Sequence, residues 1–345
     1  MGSKRTQFCG IASRVARWAQ VLSLALCGAA SAAPLAYIGH NTSNGTVRVV
    51  DVATQSVVGT IAVGGNPYGI AVNANGTRVY VVKSTTAQLA VIDTATQQVS
   101  ATINLPGNAR TVAVNAAGTR AYTANFAVDS VSVIDLTTNQ LIGAPIAVGN
   151  EPEGMVLNPS GTRLYVSNIA TGENTVSVID TASASVIATI PVTAPRALVA
   201  HPDGSRIYVV RRAAVSTIGI IDTATNTLTP TSIAVGNSSI CAAINGAGTR
   251  LYVANFGSAS TSVIDTTQNT VIATINVGAV PFGIAVSADD SRVLQVSNNG
   301  SRVDIIDAAN NSLITNVAVD AFPVAYGPFM QPPSAQLFRN GFENP

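Results

Sequence analysis

One pattern recurs along nearly the whole chain and dictates what it can build. An Asp preceded by an apolar residue and followed by a turn stands at Asp51, Asp93, Asp135, Asp180, Asp222, Asp265 and Asp307, at intervals of 42, 42, 45, 42, 43 and 42 residues. Out of phase with it, a Gly-Thr/Ser-Arg element ends at Arg78, Arg120, Arg163, Arg206 and Arg250, with a degenerate copy ending at Arg292. Two residues beyond each Arg stands Tyr80, Tyr122, Tyr165, Tyr208, Tyr252 or Leu294, and Tyr37 supplies a seventh copy. Such a period, held over most of a chain, means one supersecondary unit packed against copies of itself.

Each period divides into four short β segments. In the best-formed copy they cover residues 155–157, 163–168, 175–180 and 185–191, separated by turns such as Asn158-Pro159-Ser160-Gly161 and Asp180-Thr181-Ala182-Ser183. Four strands in roughly 40–45 residues make a propeller blade, whereas a leucine-rich solenoid has a shorter period and one strand per repeat. The apolar share of 47%, drawn from Val, Ile and Ala with only 5% aromatic residues, favours strands over a helical bundle. The expected fold is all-β: a seven-bladed β-propeller of four-stranded antiparallel blades. The ends are out of phase, because residues 35–39 correspond to a second strand and residues 323–330 only to a first. Joined, the N- and C-terminal strands complete one blade and close the ring, which removes free sheet edges.

The copies Tyr165-Val166-Ser167-Asn168, Thr175-Val176-Ser177-Val178-Ile179-Asp180-Thr181 and Val271-Ile272-Ala273-Thr274-Ile275-Asn276-Val277-Gly278 resemble the YVTN-repeat β-propeller family, over about residues 35–330. The resemblance implies an exported, periplasmic or surface protein of the surface-layer-like kind. It implies little about activity, since one fold hosts many functions.

The N-terminus reads as a cleaved leader over residues 1–32. Lys4, Arg5, Arg14 and Arg17 give a positive start, residues 21–30 a short apolar stretch, and Ala30-Ser31-Ala32 a small-x-small cleavage site. The apolar run is about half of the roughly 20 residues a membrane span requires, so the mature form is expected without a transmembrane segment. The propeller is expected over residues 33–330, and a Pro-rich linker and tail over residues 331–345. Loss of the four leader cations from 18 basic residues leaves 14 against 17 acidic, a formal charge of −3. Cys9 and Cys27 leave with the leader, so Cys241 has no disulfide partner and reads as a small buried hydrophobe.

With 10% charged residues and near-neutrality, a strongly basic nucleic-acid binder is excluded as the default. The repeated Asp residues read as turn acceptors and the six repeat Arg residues as their cross-strand partners. Charges that break the repeat carry the functional information. Two positions per blade are expected to sample one mouth of the channel. The residue before the first strand reads Tyr68, Arg110, Glu153, Arg196, Ile240, Phe282 and Val324; the last residue of the Tyr-Val-Thr-Asn-like element reads His40, Lys83, Asn125, Asn168, Arg211, Asn255 and Ser297. The candidate ligand-binding set is therefore Lys83, Arg110, Glu153, Arg196, Arg211, His40, Tyr68 and Phe282. Four cations against one acid, beside an apolar arc, suit a small anionic ligand; alternatively, Glu153 simply pairs with Arg110 and Arg196.

His40 and His201 are expected too far apart for a two-His metal site, and no Gly-x-Ser-x-Gly elbow, phosphate loop or Cys-x-x-Cys occurs. No catalytic residue, metal or cofactor is therefore assigned. The leading expectation is a monomeric, non-enzymatic binding or scaffold propeller in the periplasm or at the cell surface. Its partner is a protein, a cell-envelope component or a small anionic ligand. One rival is a lactonase- or lyase-like propeller enzyme using a metal or His40 as base. The other is single-stranded nucleic-acid binding on Tyr68, Phe282, Phe126 and Phe256, a partner the charge disfavours.

Overall fold

The computed structural model describes residues 34–278 and 280–331; the expected leader and residues 332–345 of the expected tail lie outside them. The described residues form seven antiparallel sheets, six of them adding their strands outward in chain order. Blade one contains Pro67–Val72, Arg78–Lys83, Gln88–Asp93 and Gln98–Asn104. The first strands of blades two to six are Val112–Val114, Pro152–Leu157, Pro195–Ala200, Ser239–Ile244 and Pro281–Val286. Blade seven combines both ends of the described chain. Pro323–Val324 is its innermost strand, beside Leu35–His40, Thr46–Asp51 and Ser56–Ala62. The closing segment is also tied by backbone bonds from Tyr37 N to Phe329 O at 2.9 Å and from Gln331 N to Leu35 O at 2.7 Å. The expected seven-bladed ring and its mode of closure are what the structure contains. Among the described residues no helix is long and apolar enough to cross a membrane.

The repeat residues explain the repeated shape. All seven repeat Asp residues accept hydrogen bonds from the turn that follows, as at Asp180, whose Oδ1 takes Ala182 N at 3.0 Å and Ser183 N at 2.8 Å. Each repeat Arg lies opposite its Asp in register. The expected pairing, however, forms only at Arg78–Asp93 and Arg292–Asp307. The guanidinium groups of Arg120, Arg163, Arg206 and Arg250 instead reach the next blade and donate to the carbonyls of Thr181, Thr223, Thr266 and Ala308. At the junctions that Arg78 and Arg292 face, the corresponding position holds the bulkier Leu136 or Val52. The repeat Arg is thus mainly a clasp between blades. The repeat Tyr packs between them, and Tyr37, Tyr122, Tyr165, Tyr208 and Tyr252 are among the largest fully buried side chains.

One boundary differs from expectation. The first strand of blade three begins at Pro152 rather than residue 155, with a register shift between Pro152 and Met155. There the Ser167 hydroxyl accepts from Gly154 N at 2.8 Å, replacing a ladder bond. The longest repeat interval reflects a longer loop between Asn168 and Thr175 on the mouth face and an interrupted outer strand in blade two, Gln140–Leu141 and Ile146–Ala147.

Candidate functional site: the channel mouth

The two columns of candidate residues separate in the structure. The residues that open each first strand do converge on the channel. Tyr68 of blade one, Phe282 of blade six and Tyr326 from the closing segment pack as a plug, with centroid distances of 5.6, 6.1 and 6.4 Å. The Tyr326 hydroxyl reaches across toward Ile240 O of blade five. Burial pushes the phenols of Tyr68 and Tyr326 well above their ordinary range, so both are neutral donors at any physiological pH. Tyr326 was missed in the sequence because the last first strand was read only as a closing element.

Beside the plug, Glu153 is buried and pairs with Arg196 at 2.8 Å. That removes Arg196 from the pool of cations facing a ligand. Arg110 behaves differently. Its guanidinium carbon lies 4.8 Å from the Tyr68 ring centroid and 4.6 Å from that of Phe126. Among the described residues no carboxylate pairs with it. Phe126 opens a short 3-10 turn, Phe126–Val128, and a second such turn, Phe256–Ser258, sets Phe256 5.8 Å from the Arg212 guanidinium. These contacts hold a planar cation without neutralising it.

The strand-two column does not reach the channel. Asn125, Asn168 and Asn255 are fully buried and donate sideways to the first and third residues of strand three. Asn255, for example, donates to Ser260 at 3.1 Å and Ser262 at 2.9 Å. Lys83 occupies the same slot and donates to Gln88 at 2.9 Å. Arg211 lies against Gly219, where a Cβ would stand 3.1 Å from its Cδ. His40 is 2% exposed and bonds Thr46, and burial lowers its pKa. The expectation that Lys83, Arg211 and His40 face the mouth is therefore corrected. Pleating turns strand-end side chains onto the sheet face, where a polar partner on strand three holds them. The signal was present in one sequence: Asn accompanies Ser or Thr there, and Lys accompanies Gln.

The mouth itself is a bowl of about 680 Å³. Arg110 and Phe126 line it together with Asn41, Asn66, Asp129 and Glu151. Asn66 donates to Asn41 at 2.8 Å, and Asp129 accepts from Glu151 N at 2.8 Å, so the rim is organised rather than loose. The bowl offers one aromatic-clamped guanidinium, amides and two carboxylates. The excess of cations expected from the sequence is absent, because its members are held on their own blades or paired. Tyr68 and Phe282 are packed in the plug, and Phe126 and Phe256 each face an arginine, which leaves no open row of rings for successive bases. His201 is a turn residue, bonding Gly248 O of blade five at 3.0 Å.

No protein-family model matches the sequence, and no curated protein matches it. Solved structures do share its shape. A functionally unknown protein from Desulfotomaculum acetoxidans superposes with a TM-score of 0.74 at 15% identity, covering 85% of this chain and 99% of that one. Hydrazine synthase from Kuenenia stuttgartiensis gives 0.70 at 19% identity over 78% of this chain and 90% of that one. The dihydro-heme d1 dehydrogenase NirN gives 0.61 at 14% over 84% and 74%. At these identities the likeness is one of fold.

Proposed function

We propose that this protein is a non-enzymatic binding or scaffold propeller of the YVTN-repeat type. It is exported to the periplasm or the cell surface after loss of residues 1–32, with residues 33–330 as the propeller and residues 331–345 as a tail. Its mouth holds an acidic saccharide or a similar anionic component of the cell envelope. The observation that carries this reading is Arg110. A half-buried guanidinium clamped between Tyr68 and Phe126, with no carboxylate partner among the described residues, presents its N–H fork for a carboxylate, phosphate or sulfate. Around it, the Asn amides and the carboxylates of Asp129 and Glu151 suit the hydroxyls of a sugar rather than a second anion.

The test is a binding titration of the full chain with uronate-containing, phosphorylated and sulfated oligosaccharides. At least one binds saturably, and Arg110→Ala weakens it at least ~10-fold, the worth of a charge-assisted hydrogen bond. The thermal midpoint stays within a few degrees, because the fold loses only the two cation–π contacts to Tyr68 and Phe126, each worth about 0.5–1 kcal/mol. Unchanged affinity in Arg110→Ala refutes the assignment of the site.

A further inference from the structure

Below the aromatic plug the channel widens into a cavity of about 360 Å³. Its wall is built from the first strands of blades two to six and the closing segment of blade seven. Val114, Met155, Leu157, Ala243, Val286 and Met330 represent the lining, and no charged residue is among the residues that form it. Exposure rises along the strands: Cys241 is buried and residues 242–244 are half-buried, Ile284 and Ala285 are buried and Val286 is half-buried. The cavity is therefore blind at the plug and opens on the face of the strand-one to strand-two turns, opposite the mouth.

Few polar side-chain atoms meet this space. The Thr111 hydroxyl is engaged by Glu153 O. The Cys241 thiol is 3% exposed and burial pushes it up to about 12, so it stays protonated and apolar in character. Tyr326, 5% exposed, has its only acceptor, Ile240 O, at 3.5 Å, the outer limit of a hydrogen bond. The lining is mostly apolar with a polar minority, and a hydrocarbon entering it removes apolar surface from water. The volume lies at the lower end of the roughly 300–1,000 Å³ typical of small-molecule pockets.

We propose that this blind channel binds a neutral, mostly hydrocarbon small molecule carrying one hydrogen-bonding oxygen, its chain along the first strands and its oxygen on the Tyr326 hydroxyl. A charged head is rejected, because burying an unpaired carboxylate is costly and the wall offers no counter-ion. The site is separate from the mouth, on the other side of the plug, and does not depend on the reading of Arg110.

The experiment is a titration of the full chain with 1-octanol, octanoate and toluene, followed by thermal shift and calorimetry. 1-Octanol binds saturably, one per chain, and octanoate binds at least ~10-fold more weakly. Ala243→Phe fills the channel and lowers octanol affinity at least ~10-fold with an unchanged far-ultraviolet circular dichroism spectrum; Ala200→Phe, nearer the open end, serves if that variant does not fold. Tyr326→Phe keeps the ring and removes the oxygen, weakening octanol about fivefold, one ordinary hydrogen bond, without changing toluene binding. No saturable octanol binding, or equal binding in the folded channel-filled variant, overturns the site. Equal affinity for octanoate, or octanol binding indifferent to Tyr326→Phe, overturns the neutral head group and its placement. Octanol binding that appears only after removal of residues 332–345 assigns the channel to the chain's own C-terminal segment and overturns the proposal.

Discussion

Asn255 shows what the repeat's side chains do. It accepts from Ser239 at 2.8 Å and donates to two serines of strand three, entirely out of solvent. Asn255→Ala leaves three buried hydroxyls short of a partner, and an unsatisfied buried group costs about 1–3 kcal/mol. The expected loss is at least ~2 kcal/mol, read as a lowered urea midpoint with an unchanged slope. The repeat Asp residues make a different prediction. Hydrogen bonds from turn N–H and hydroxyl groups hold Asp93, Asp135, Asp180, Asp222 and Asp265 below the ordinary carboxylate range. Ser205 holds Asp203 down to about 2. Because these folded-state values are depressed, the stability they contribute is present above the unfolded value near 4 and lost as pH falls through the folded values. A stability curve that declines modestly from about pH 7 to 5, where the buried His40 resists the proton its unfolded form accepts, and falls steeply below about pH 4 is expected from urea titrations. Asp304, raised by burial, acts in the opposite sense. The Asp role was legible because an Asp before a turn has one local task. The strand-two column was misread because a residue at a strand end faces wherever its pleat position sends it, which requires the register with strand three.

Among the elements, the first strands set the bore of the ring. A Cβ on Gly69, Gly154 or Gly283 would overlap the carbonyl of Arg110, Arg196 or Ala325 in the following blade. The next blade at each of these junctions carries Thr111, Ala197 or Ala325 in that position, so a bare backbone meets a substituted one. Gly154→Ala must push two blades apart and is expected to cost about 1–3 kcal/mol or more, as overpacking does. A thermal midpoint unchanged by that substitution contradicts the close approach. The outer strands are shaped by another device. Register shifts recur between strands three and four, as at Val178/Ile179 and Val263/Ile264, and leave Ile187 and Ile272 exposed. Such bulges twist an edge strand away from pairing with another chain. Strand number and spacing were readable from the period. Bulges and the early start at Pro152 were not, because they follow from packing between blades.

For the whole molecule, closure and function share one seam. The mouth bowl takes Asn41 from blade seven, Asn66 from blade one, Arg110 from blade two and Glu151 from blade three, so it straddles the junction that the closing segment seals. That segment buries Val324, Ala325, Tyr326, Phe329 and Met330 and supplies the centre of the plug. The phase of the termini made this closure legible, whereas the plug needed the ring in three dimensions. The most direct measurement is a urea titration, followed by circular dichroism, of a chain ending at Phe322 beside chains ending at Gln331 and at Pro345. Each large buried side chain removed is worth about 1.5–3 kcal/mol, so the chain ending at Phe322 is predicted to lose ~5 kcal/mol or more, or its cooperative transition altogether. The chain ending at Gln331 is predicted to match the full chain. A midpoint for the Phe322 chain equal to that of the full chain would contradict a ring held shut by its two ends.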